Sequence, residues 1–126
     1  MFFSSLNVPN SRVQAAFQVG ILTIIKRYFE IIDDLERALN NRPKDGDGAV
    51  WAEGIELIYR KFISLLENEG IVVMKAQGNQ FDPNLHEAIS SEENDKYESG
   101  QIIEVIKQGY SMGDRVLRPA LVRVAR

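Results

Sequence analysis

The apolar positions in the first third of the chain recur at helical spacing. Ile21, Ile25, Tyr28, Ile32, Leu35 and Leu39 step by 4, 3, 4, 3 and 4 residues, a heptad seam. Phe17, Ile21, Ile24, Tyr28, Ile31 and Leu35 form a second, overlapping seam with the same steps. Two seams make a stripe too wide for one partner helix, so this helix is expected to touch at least two others. It should run from about Ser11, a suitable N-cap, to about Asn41, shortly before Pro43. The segment PKDGDG (43–48) is turn chemistry, with a proline and two Asp-Gly pairs.

A second helix is predicted over roughly Ala49–Glu69. Trp51, Ile55, Ile58, Phe62 and Leu65 repeat the 4, 3, 4, 3 spacing, and Gly70 stops it. One helical hairpin cannot cover so much apolar surface, whereas two hairpins pairing would. The pattern therefore predicts a symmetric homodimer around a four-helix core, with Ile21, Ile25, Tyr28, Ile32 and Leu35 at the interface.

After Gly70 the period changes. IVVMKA (71–76) and QIIEVIKQ (101–108) are short and β-branched, and RVLRPALVRVAR (115–126) alternates towards its end. SSEENDKYESG (90–100) and GYSMGD (109–114) read as polar connections, and Pro119 marks an edge position or a bulge. The expected fold class is α+β: a long helical hairpin over 1–70 forming a dimeric four-helix bundle, then a small antiparallel β domain over 71–126.

Composition narrows the chemistry. Apolar residues make up 44% and charged residues 26% of the 126, as in an ordinary globular domain. A net charge of −3 argues against a nucleic acid gripped through its phosphates. The absence of cysteine excludes disulfides, a thiolate nucleophile and cysteine-ligated metal, and fits a reducing compartment. Residues 1–29 carry Arg12, Lys26 and Arg27 and no acid, which invites a targeting reading of AAFQVGILTII (15–25). Against it, no positive charge precedes Arg12, Gln18 interrupts the run, and the run is too short to span a membrane.

The only histidine, His86, sits in FDPNLHEAI (81–89) with Asp82 four residues before it and Glu87 beside it. A metal site would need a third ligand that is not evident, and an Asp–His dyad would need a nucleophile, for which Ser90 and Ser91 are only nominal candidates. GDGAVWAEG lacks the lysine and spacing of a phosphate loop. A structural reading accounts for more: Asp82 as N-cap, Pro83 at the first helical position, and Phe81 with Leu85 pinning the turn to the core. His86 and Glu87 would then hold a polar junction between the helical and β halves.

FDPNLHEAI, a gap of 19 residues, then GYSMGDRVLRPALVRV (109–124) resembles the signature of the GrpE family. IIDDLERAL (31–39) and EGIEL (53–57) agree with it in the right order. The resemblance covers about residues 27–126 and implies paired long helices, a four-helix bundle at a dimer, and a small β domain on each subunit. It implies a nucleotide exchange factor that binds the nucleotide-binding domain of a DnaK-type chaperone and opens its cleft to release ADP. No active site and no cofactor are implied. Residue by residue, the likeness assigns chaperone contact to Arg115, Gly54 and Arg37, and to Phe81, Ile106 and Val124 at or near other contact positions. The basic positions of the family's charged arm align near Leu6, Asn7 and Ala15, which cannot play that role. The implied location is the cytoplasm, with an organellar matrix or stroma as the alternative. Two rival classes are a small enzyme using Asp82, His86 and Glu87, and a dimerisation or adaptor module lacking exchange activity.

Overall fold

The computed structural model describes residues 11–126. Helix α1 (Ser11–Asn40) and helix α2 (Gly46–Asn68) form the hairpin, with ends within a few residues of those expected. Six strands follow: β1 (Ile71–Val73), β2 (His86–Glu92), β3 (Ile102–Lys107), β4 (Tyr110–Met112), β5 (Arg115–Arg118) and β6 (Ala120–Ala125). The α+β class stands. At 30 residues α1 is about 45 Å long, since an α-helix rises about 1.5 Å per residue. Of the arm positions, Ala15 lies exposed on α1, while Leu6 and Asn7 fall outside the described residues.

The helices carry two apolar faces each, one turned inward and one outward. On α1 the inward face is Leu22, Phe29 and Ile32, with Ile25 partly buried against them. Phe17, Ile24, Tyr28 and Ile31 lie exposed on the same helix. On α2, Ala52 is buried and Tyr59, Ile63 and Leu66 pack on the core, while Trp51, Ile58, Phe62 and Leu65 remain exposed. Ile32 is 2% exposed within its own chain, held by the core that the β half completes. Ile25 is turned the same way.

The strands do not form one antiparallel unit. Two three-stranded sheets occur, β1-β4-β5 and β2-β6-β3, and β2 runs parallel to β6. The segments read as connections contain β4 and the end of β2. Residues 82–85 form a turn rather than the start of a helix, because the chain passes from it straight into β2 at His86. Pro119, which has no N–H to donate, separates β5 from β6.

The first sheet completes the helical core. Ile71, Tyr110 and Leu117 of β1, β4 and β5 meet Leu22, Phe29 and Ile32 of α1. Each fully buried side chain of this size contributes roughly 1.5–3 kcal/mol. A second core of Ala76, Ile102, Ala120, Val122 and Val124 lies under β3 and β6, with Met74, Phe81 and Val105 against it. Gly109, between β3 and β4, is tightly enclosed: a Cβ there would stand 2.6 Å from the Ala120 nitrogen and 2.7 Å from the Met74 sulfur. Only glycine fits there, which is the physical content of the glycine that opens GYSMGD.

Candidate functional site

Of the residues expected to meet a partner, Arg37 and Ile106 are brought together. They line a groove of about 300 Å³ between the end of α1 and β3, with Asp33, Glu36, Glu104 and Gln108 around them. The Arg37 side chain is 72% exposed and its only ion pair among the described residues is with Asp34 one turn earlier. Such exposed pairs are worth little, so the guanidinium is free to exchange that partner for another.

Arg115 stands elsewhere. It opens β5 after the Gly113 turn, where φ is +59°, and is exposed with no ion pair among the described residues. Its strand partner Met112 also faces Ile71 across β1, which places this turn beside the C-terminal end of α2. Gly113 and Asp114 form one wall of a cleft of about 510 Å³, and Asp82, Leu85 and His86 form another. The two halves of the sequence signature therefore meet in space. Gly54 lies exposed on α2 with nothing within 4 Å of where a Cβ would be.

Val124 and Phe81 lie against the second core. Val124 is 9% exposed and belongs to the second core. Phe81 packs against that core and lies tilted on the His86 ring, centroids 5.9 Å apart. Val124 lies on β6, the central strand of its sheet.

Asp82 and His86 of FDPNLHEAI do not form a hydrogen-bonded dyad. The Asp82 carboxylate accepts from the Asn84 N–H at 2.9 Å rather than from the imidazole. His86 Nδ1 instead accepts the backbone N–H of Asp82, also at 2.9 Å. The ring is 7% exposed, and burial lowers its pKa from the ordinary value, with the Asp82 charge opposing that shift. A neutral imidazole pinned to its own turn closes the loop and presents no dyad. Among the described residues no three His, Asp or Glu side chains are grouped to hold a metal, and no helix is long and apolar enough to cross a membrane.

Sequence reasoning overlooked a polar junction under the groove. Arg118 of β5 grips Asp33 of α1 with two parallel hydrogen bonds of 2.6 and 2.8 Å, and also donates to the Gln108 carbonyl. Its guanidinium carbon lies 5.2 Å from the Tyr110 ring centroid and 5.5 Å from that of Phe29. Nearby, the Tyr59 hydroxyl of α2 donates to Glu36 at 2.8 Å. Burial raises the Glu36 carboxyl above its ordinary range. An arginine between the core residue Leu117 and Pro119 was the available signal, since a charge beside a buried position needs a partner.

The sequence profile of the GrpE family matches residues 9–126, nearly the whole chain. The chain belongs to the GrpE family. Relatives named Protein GrpE include that of Methanothermobacter thermautotrophicus, 40% identical over 103 residues, covering 82% of this chain and 56% of the relative. The GrpE of Exiguobacterium sibiricum is 36% identical over 103 residues, again 82% of this chain and 55% of the relative. That of Parageobacillus thermoglucosidasius is 32% identical over 114 residues, 90% of this chain and 51% of the relative. The chain thus spans about half the length of the GrpE relatives it matches.

Proposed function

We propose that this chain is a nucleotide exchange factor. It binds the nucleotide-binding domain of a DnaK-type chaperone and favours the open cleft, so that ADP leaves and ATP enters. The observation that carries the reading is the match to GrpE over residues 9–126, with the signature's Arg115 exposed at the head of β5. The physics is linkage: a protein that prefers the open state weakens nucleotide binding by the factor by which nucleotide weakens its own. No bond is made or broken by the exchange factor, so it accelerates a release step without being an enzyme.

Arg37 and Ile106 supply one patch of the contact, and Arg115 and Gly54 supply further, separate points of it. The exposed apolar stripes of α1 and α2 support pairing of two copies through the helices, in the cytoplasm. Stopped-flow release of a fluorescent ADP analogue from a DnaK-type chaperone tests the reading. Release accelerated in proportion to added protein is expected. An unchanged rate at saturating protein, with binding intact, would leave a dimerisation or adaptor module.

A further inference from the structure

Apart from the apolar core they share, two connections join the first sheet to the helices. One is covalent, through Glu69 and Gly70 between α2 and β1, with Gly70 at φ +84°. The other is the Arg118–Asp33 fork between β5 and α1. The glycine link is free to rotate and apolar packing is non-directional, so neither sets the angle of the sheet on the helices by itself. The planar five-donor guanidinium fixes orientation, since two parallel bonds to one carboxylate fail when either element turns. The Arg118 side chain is 22% exposed and Asp33 12%, so water competes little for either.

The same two residues stand between the proposed contacts. Arg115 and Arg118 are the ends of one four-residue strand, about 10 Å apart at a rise of roughly 3.3 Å per residue. Asp33 lies four residues before Arg37, one turn away on the same face of α1, and both line the groove. The path from Arg115 to Arg37 is therefore strand, ion pair, helix turn, with no loop in it.

We infer that Arg118 is a positioning residue: through Asp33 it holds the Arg115 end of the β half in fixed register with Arg37 on α1, so that both meet the chaperone at once. This rests on the exchange-factor reading above. A surface in two parts binds tightly only when its parts are held at the right spacing before contact, and a swivelling sheet would lose that advantage without losing any contact residue. It would also hold a partner's two lobes apart less stiffly.

The test uses Arg118→Lys, which keeps the charge and loses the fork, with Asp33→Asn as the second variant should the first not fold. Calorimetric titration into the nucleotide-free nucleotide-binding domain of a DnaK-type chaperone should show binding weakened about tenfold for either. Arg115→Ala, about 30-fold weaker than wild type alone, should cost only a few-fold more in the Arg118→Lys background. A merely structural role would leave the Arg115 effect at full size. An independent readout needs no chaperone. The chain has no cysteine, so spin labels can be placed at Glu30→Cys on α1 and Asp114→Cys at the turn, diluted with unlabelled chain. The distance distribution should be narrow in the wild type and broadened in Arg118→Lys at an unchanged helix content. Additive binding losses, or distributions of equal width, overturn the positioning role. Wild-type protein that shows no binding while the distributions still broaden would instead refute the exchange-factor reading.

Discussion

Phe29 of α1 lies flat against Tyr110 of β4, ring centroids 4.0 Å apart and planes 14° from parallel. Neither residue has measurable exposure, so this stack is the centre of the contact between helix and sheet. The Tyr110 hydroxyl is buried without a hydrogen-bond partner among the described residues, and burial pushes its pKa up. An unsatisfied buried hydroxyl costs about 1–3 kcal/mol. Tyr110→Phe keeps the ring and removes that cost, so chemical denaturation should show a gain of about 1 kcal/mol. A loss of that size would mean that the hydroxyl has a partner.

Glu36 gives a pH dependence of definite sign. Desolvation raises its folded pKa above the ordinary 4.5, with the Tyr59 hydrogen bond only partly offsetting it. A raised carboxyl pKa means the folded state holds the proton more tightly than the unfolded chain. Its contribution is therefore fully present below about pH 4.5 and is lost as pH rises through the folded value. Glu36→Gln removes the ionisation while its side-chain oxygen still accepts from Tyr59. The variant should melt higher than wild type at pH 7, and the gap should close as pH falls towards 4.5. A gap that widens in acid would show the carboxylate to be stabilising.

Adjacent isoleucines on α1 separate folding from pairing. Ile31 is 62% exposed and Ile32 is 2% exposed. A charge forced into the Ile32 site has no partner and no water, and should cost more than about 4 kcal/mol, enough to unfold a marginal domain. Ile31→Asp should instead leave the helical signal intact and shift sedimentation from dimer to monomer. If Ile31→Asp remains a dimer, the exposed stripe is not the pairing face.

The helices were legible because their apolar period is long and unbroken, and α1 ends one residue from the expected Asn41. What periodicity could not decide was which edge of the wide stripe turns inward. Phe29 belongs to neither seam and yet is fully buried, since the inner face follows Leu22, Ile25, Phe29 and Ile32. Strand β2 was not legible because it is an edge strand whose Glu87, Ala88 and Ile89 face solvent. In its parallel pairing with β6, His86 faces Ala120, 34 residues further along the chain, so no local turn signals the pairing. Arg37 and Ile106 were named separately, and only tertiary packing shows that they share a groove. The Arg118–Asp33 pair, 85 residues apart, was invisible for the same reason.

Arg115 and Gly54 discriminate an exchange factor from a bystander because neither supports the fold. Arg115 is exposed and has no ion pair among the described residues, so Arg115→Ala should leave the thermal midpoint within about 1 °C, the shift a few tenths of a kcal/mol gives in a domain of this size. Gly54 has open space where a Cβ would go, and glycine is the weaker helix former, so Gly54→Asp should melt no lower than wild type. Against the chaperone both should fail. An interface arginine at the centre of a contact is worth roughly 2 kcal/mol when truncated, or about 30-fold in affinity. Gly54→Asp should weaken binding comparably, by placing a charge where the chaperone approaches the helix backbone. Titration into the nucleotide-free nucleotide-binding domain measures both against wild type. Wild-type affinity in Arg115→Ala would remove β5 from the contact, and wild-type affinity in Gly54→Asp would remove α2.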